Sequence, residues 1–282
     1  MRPRVEPKTH FKGWGIPGPI PPGASRSIDV PEDETLDALS GHFRIFQLRK
    51  GHRFSTDDVL TAWYGTTWVP SAGRVLDLGS GIGSVGMIAA WRLPGARFVT
   101  VEAQEESVRL ARKSVEFNGL LDRYEIRHGD FRDPGVLGTS ERFDLVLGSP
   151  PYFPEGSGVE GDHPQKVAAR FELRGDIRDY CLVAVAHLSI GGLFACVFPE
   201  AQRARVSRAA ASARLAILRS RPIIFREEEE PLIRLYAMVR ASDLPDELRM
   251  SGLEEPPLTI RTASGDVHPE YRILKLAVGF PP

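Results

Sequence analysis

Between Arg74 and Phe198, short apolar runs alternate with amphipathic stretches. The apolar runs predict strands over Arg74–Leu78, Arg97–Glu102, Tyr124–His128, Phe143–Leu147 and Leu193–Phe198. The stretches between them predict helices over Ser84–Arg92, Glu105–Asn118 and Gly175–His187, while the Gly- and Pro-rich segment after Asp130 supports none. Strands alternating with helices imply a parallel sheet covered on both faces. Upstream, Phe43–Leu48 alternates as a strand, and Thr56-Asp57-Asp58 opens a helix through Tyr64 with Thr or Asp as its N-cap. Downstream, Ala201–Arg221 reads as a helix, and Leu232–Arg240 and Tyr271–Val278 read as strands of a closing antiparallel hairpin.

Residues 1–35 do not fit this pattern. They are rich in Pro and Gly, have little to bury, and read as an extended arm ahead of one large domain over residues 36–282. Arg2, Arg4, Lys8 and Lys12, with Phe11 and Trp14, give that arm a possible second use in touching nucleic acid. Apolar content of 42% and charged content of 26% fit a soluble globular chain, and a net charge of −1 argues against wholesale charge-driven binding of nucleic acid. The arginines of 201–221 leave room for a local basic patch: Arg203, Arg205, Arg208, Arg214, Arg219 and Arg221, with no acid among them. Cys181 and Cys196 sit in apolar surroundings and read as buried thiols of a reducing compartment. The long apolar run from Cys181 to Phe198 is broken by Gly191-Gly192 and reads as helix, turn and buried strand rather than a membrane span. The N-terminus lacks the apolar core of a secretory signal, so the expected location is the cytoplasm. No residues show zinc-ligand spacing, and no metal is expected.

Candidate chemistry gathers at strand ends. Asp77 closes the first strand of the alternating series, and Gly79-Ser80-Gly81-Ile82-Gly83 turns from it into a helix. Glycine lets a nucleotide-like ligand approach the backbone closely. Glu102, Asp130 and Ser149 fall at the ends of three further strands, where open α/β sheets bind ligands. The turn alone suits either a dinucleotide, with pyrophosphate on the helix N-terminus, or S-adenosylmethionine, and Glu102 lies at the right spacing for a ribose in both cases. Ser149-Pro150-Pro151-Tyr152 separates them, because a nicotinamide enzyme has no use for such a loop at that strand end.

The turn and this loop together resemble the first and fourth motifs of S-adenosylmethionine-dependent class I methyltransferases that act on an amino nitrogen. From Phe43 to about Pro199 the chain is similar to the bacterial tRNA(Val) adenine-N6 methyltransferase family. Gly51-His52-Arg53-Phe54-Ser55-Thr56-Asp57, Val75–Gly83, Val101-Glu102, Ser149–Phe153, Ala169-Arg170-Phe171-Glu172 and Gly191-Gly192 carry the likeness. The resemblance implies an α/β, doubly wound, mostly parallel Rossmann-like methyltransferase sheet with a C-terminal antiparallel hairpin. It implies S-adenosyl-L-methionine as cofactor, S-adenosyl-L-homocysteine as product, and an RNA acceptor, tRNA or rRNA, methylated at adenine N6. It assigns cofactor contacts to Asp77, Gly79, Ser80, Gly81, Gly83 and Glu102. Asp130 and Phe131 fall at the adenine ring, and Thr56 and Asp57 help close the pocket. Ser149, Pro150, Pro151 and Tyr152 form the transfer loop. Its first side chain and the first proline carbonyl accept from the amine, and its aromatic ring stacks on a flipped base.

Three features depart from the family. Ser149 stands where Asn is usual, and serine is used there by some cytosine-N4 methyltransferases. Glu155–Gln165 is an insert expected to form a flexible lid, with His163 exposed rather than catalytic. The Pro-rich arm is the third. Rival readings are a protein glutamine-N5 methyltransferase, a small-molecule amine methyltransferase and a cofactor-binding remnant. The first 42 residues are too short for the helical recognition domain of the glutamine enzymes, and no DNA target-recognition domain is visible.

Overall fold

The computed structural model describes residues 9–10, 14–15, 28–154, 156, 163–249 and 252–280. Most of the N-terminal arm, with Arg2, Arg4, Lys8, Phe11 and Lys12, lies outside the described residues, as does most of the Glu155–Gln165 insert. Within the arm, Thr9–His10 pairs antiparallel with Trp14–Gly15.

The ordered chain begins with a two-stranded ladder, β1 (Glu34–Ala38) against β2 (Arg44–Leu48). Helix α1 (Thr56–Trp68) follows, and its N-cap is Ser55 rather than Thr56 or an acid. The alternating series is then β3 (Arg74–Leu78), α2 (Ser84–Arg92), β4 (Arg97–Glu102), α3 (Glu105–Phe117), β5 (Tyr124–His128) and β6 (Phe143–Gly148). After it come α4 (Pro164–Arg170), α5 (Ile177–His187), β7 (Leu188–Pro199) and α6 (Arg203–Ser212). The remainder is β8 (Leu215–Ile224), β9 (Ile233–Arg240), β10 (Leu253–Glu254), β11 (Leu258–Thr259) and α7 (Pro269–Ala277).

Nine strands form one sheet in the order β10-β8-β9-β7-β6-β3-β4-β5, with β11 also on β8. Strands β5, β4, β3, β6 and β7 run parallel; β9 adds antiparallel to β7, and β8 adds antiparallel to β9. This is the Rossmann-like α/β fold with its C-terminal hairpin. Successive side chains of a strand point to opposite faces. Accordingly Val75 joins the core beneath α1, α2 and α7, while Leu76 and Leu78 join the core beneath α5 and α6. Cys181 and Cys196 are both buried and free; burial pushes the Cys181 thiol up to about 12.

Three sequence expectations are corrected in the C-terminal third. Helix α6 ends at Ser212, and Leu215–Arg221 belongs to strand β8. Arg214, at φ +58°, turns the chain between them. Pairing with β9 along Leu215–Ile223 overrides the helical propensity of the Ala- and Arg-rich sequence. Tyr271–Val278 is not a strand. It is most of α7, capped by the His268 side chain, with Tyr271, Leu274 and Val278 buried at helical spacing. The hairpin is therefore β8 with β9, and β9 inserts between β7 and β8.

Candidate active site

The carboxyl ends of β3, β4, β5 and β6 open into one cavity of about 680 Å³. Its deep end is built from the glycine turn. Gly79, Gly81 and Gly83 all have positive φ, at +60°, +55° and +88°, a path that a Cβ would strain. They have different neighbours. A Cβ on Gly79 would meet the Tyr180 hydroxyl at 2.1 Å, whereas a Cβ on Gly81 would meet nothing within 4 Å and would enter the cavity. Gly83 caps α2 and does not line the cavity.

Four acids face this end. Asp77 Oδ2 accepts from the Gly86 amide at 2.9 Å, while its Oδ1, like the Ser80 hydroxyl, is buried without a partner. Burial raises the Asp77 carboxyl well above the usual range, against the pull of the Gly86 bond. Glu102 accepts from the Gly81 amide at 2.8 Å and the Gln104 amide at 2.6 Å, which ties the glycine turn to the end of β4. Burial raises its pKa too. Asp58 accepts from the Ser55 amide and the Ser84 hydroxyl, each at 3.0 Å. Asp130 is different: it is paired bidentately with Arg132, and that bond holds its carboxyl below the usual range.

Burial lifts Asp58 to about 6, with the Ser55 and Ser84 hydrogen bonds opposing the rise. Unfolded, the same carboxyl titrates near about 4. The folded chain therefore holds the extra proton in that window, and stability falls by up to about 3 kcal/mol as pH rises from about 4 through about 6. Asp58→Asn keeps an acceptor for both donors and removes this titration. Thermal melting at pH 5 and pH 8 should show the variant gaining on the wild type at pH 8. Equal pH slopes in the two proteins would refute this reading of Asp58.

The transfer loop forms the next wall. The Tyr152 hydroxyl donates to Asp57 Oδ2 at 2.5 Å, bridging β6 and the first turn of α1. Burial raises both groups' pKa values, and Asp57 adds to the rise at Tyr152. The Tyr152 ring stands edge-on to Phe198 at 5.8 Å, and its carbonyl accepts from Gln202 Nε2 at 2.9 Å. Arg205 continues the network, donating to Gln202 Oε1 at 2.7 Å and to Glu172 Oε1 at 2.6 Å. The Glu172 amide in turn donates to the Phe153 carbonyl at 2.9 Å. The loop leaves the sheet at Gly148, yet it is held from α1, α6 and the residues after α4.

Of the residues expected from sequence, Asp57, Asp77, Gly79, Ser80, Gly81, Glu102, Asp130, Phe131, Ser149, Pro150, Pro151 and Tyr152 all line this cavity. Thr56 and Gly83 do not. Thr56 instead opens α1. His163 caps α4 through its side chain, and Gln165 beyond it is buried, accepting from the His52 amide at 2.8 Å and donating to Ser107 at 3.0 Å. Sequence reasoning missed Arg174, Tyr180, Gln202, Phe225 and Leu232, which also line the cavity. They come from segments that only the strand order brings here, so no local pattern marks them. Among the described residues, no helix is long and apolar enough to cross a membrane, and no cluster of three or more His, Cys, Asp or Glu could hold a metal ion.

Residues 60–172 match the family described as the methyltransferase small domain. A tRNA1(Val) (adenine(37)-N6)-methyltransferase of Porphyromonas gingivalis is 29% identical over 240 residues, covering 81% of this chain and 89% of the relative. The enzyme of the same description from Escherichia coli O157:H7 is 30% identical over 151 residues, covering 52% of this chain and 59% of the relative. Among solved structures, a predicted O-methyltransferase from Agrobacterium tumefaciens superposes with a TM-score of 0.61 at 22% identity, covering 80% of this chain and 98% of its own; that likeness concerns the fold.

Proposed function

The chain is a class I methyltransferase that resembles the bacterial tRNA(Val) adenine-N6 enzymes, and on that premise we propose that it methylates an exocyclic amino group in RNA, adenine N6 in tRNA or rRNA, using S-adenosylmethionine. One observation carries the proposal. The glycine turn, the ribose-type acid Glu102 and the Ser-Pro-Pro-Tyr loop open into a single cavity.

The deep end suits this cofactor. Asp77 Oδ1 and the Ser80 hydroxyl are buried polar atoms in need of partners, and the methionine end of S-adenosylmethionine offers an ammonium donor. Gly81 leaves open space for close approach, and Glu102 would hold the ribose. When bound, the cofactor supplies an electrophilic sulfonium methyl.

The chain's part is to make the acceptor nitrogen reactive. A ring-attached amine is a weak nucleophile, because its lone pair is delocalised. The Ser149 hydroxyl and the Pro150 carbonyl can accept its two N–H bonds, which favours a pyramidal nitrogen. Pro150 and Pro151 donate no competing N–H. Tyr152, fixed by Asp57, gives the acceptor base a face to stack on.

The arginines of 201–221 lend this reading less support than the sequence promised. Arg203 lies 3.8 Å from Glu200, Arg205 2.6 Å from Glu172, Arg219 3.5 Å from Glu255 and Arg221 3.1 Å from Glu270. Ion pairs within the chain engage the half-buried Arg205, Arg219 and Arg221, and Arg203, Arg208 and Arg214 remain as exposed candidates.

The test uses tritiated S-adenosylmethionine with separate pools of tRNA, rRNA, DNA and total protein from a methylation-deficient source. Label in RNA that digests to N6-methyladenosine is expected, and Ser149→Ala should lower it roughly tenfold or more. Label in N4-methylcytidine would reassign the base, and label in protein would move the acceptor to glutamine. No label, with cofactor binding intact, would leave a small-molecule acceptor or an inactive binder.

A further inference from the structure

We propose that the cavity rim beside the transfer loop is a surface for unpaired RNA. In it, Phe153 and Arg170 form a stacking platform for the nucleotide adjoining the acceptor base, and Arg174 holds a phosphate. This deepens the functional proposal and rests on it.

Phe153 follows Tyr152 directly, lines the cavity and is 38% exposed. The backbone there is fixed. The Phe153 amide donates to the Arg170 carbonyl at 3.1 Å, and its carbonyl accepts from the Glu172 amide. Behind it lies the Phe171 ring, 5.9 Å away and tilted by 44°. The Arg170 guanidinium sits 5.6 Å from the Phe153 centroid. Splayed RNA bases are bound by stacking on just such aromatic and guanidinium planes.

Charge selects a polyanion. Arg170 and Arg174 are exposed and line the cavity, and among the described residues neither has a carboxylate within ion-pair distance. By contrast Arg132, on the same side, is spent on Asp130, and Arg205 on Glu172. The β8–β9 turn supplies another stretch of rim through Phe225 and Leu232, and between them Glu228, Glu229 and Glu230 are exposed. A phosphate backbone is repelled from that turn and drawn to Arg170 and Arg174, so it crosses the mouth on the α4–α5 side.

The experiment uses bulk tRNA from the methylation-deficient source as the probe. Turnover and filter binding are measured across salt for Phe153→Leu, Arg170→Ala, Arg174→Ala and a triple glutamine variant of Glu228, Glu229 and Glu230. Phe153→Leu is expected to raise KM for tRNA roughly tenfold with kcat within about threefold. Each arginine variant should cut the slope of log affinity against log salt by about 0.7 to 0.9, and the triple variant should bind more tightly. S-adenosylhomocysteine affinity and melting temperature should match the wild type in Phe153→Leu, Arg170→Ala and the triple glutamine variant. An enzyme that methylates tRNA but shows unchanged KM and salt slope in these variants would overturn the platform and leave the function standing. A wild type that labels protein instead of RNA would overturn both.

Discussion

Gly81→Leu is expected to weaken S-adenosylhomocysteine binding more than about 100-fold, close to 3 kcal/mol, while the chain still folds. The glycine turn separates two costs. At Gly81 the missing Cβ points into open cavity, and the Gly81 amide bond to Glu102 survives substitution. The folding penalty is then the left-handed backbone alone, about 1–2 kcal/mol, and the leucine side chain takes the room a ligand needs. Gly79→Ala is the contrasting case. Its Cβ would collide with the hydroxyl of Tyr180, a side chain buried against Phe131 that has nowhere to swing. That variant should lose stability first, and binding only as a consequence. Calorimetric titration beside thermal melting tells the two apart. A Gly81→Leu protein that bound S-adenosylhomocysteine normally would move the cofactor away from this turn.

Tyr152→Ala is expected to lower kcat about 100-fold or more with cofactor affinity retained, since misplacing a reacting group by about 1 Å can cost that much. The substitution removes the stacking face, the edge contact with Phe198 and the 2.5 Å bond to Asp57. Tyr152→Phe isolates the last of these. It keeps the ring and leaves the Asp57 carboxylate buried without its donor, so a roughly tenfold loss and a lower melting temperature should follow. The measurements are kcat and acceptor KM on the RNA pool that takes label. Retained kcat with a lower melting temperature in Tyr152→Ala would make the ring structural.

The parts of this protein that could be read from sequence are those written locally in the backbone. The strands β3, β4, β6 and β7 are largely buried, so apolar runs mark them, and the turn and loop carry Gly and Pro in obligatory places. Residues 215–221 were misread because Ala, Leu and Arg favour a helix, and only the β9 partner overrules them. Tyr271–Val278 was misread because a short apolar stretch carries both periods, and the cap that decides between them lies upstream at His268. The site divides in the same way. Asp57 is visible as an acid at a helix start, but its bond to Tyr152 spans 95 residues of sequence. Gln202, Arg205 and Glu172 join the loop through contacts with no sequence period at all.

The strand order also governs how the molecule can be made and cut. Strand β7 has no neighbour on its outer side until Ile233–Arg240 pairs with it. A nascent chain therefore presents an apolar edge, Leu193–Phe198, through the synthesis of α6 and β8, and an open edge of that kind invites pairing with another chain. The matched segment 60–172 ends before β7 itself, so it keeps β3 to β6 but lacks the β7–β9 side of the sheet and Asp57 and Asp58 of α1. Trimming to that segment would remove β7, β9 and half of both cores, and the smallest soluble unit of this enzyme must run past Arg240.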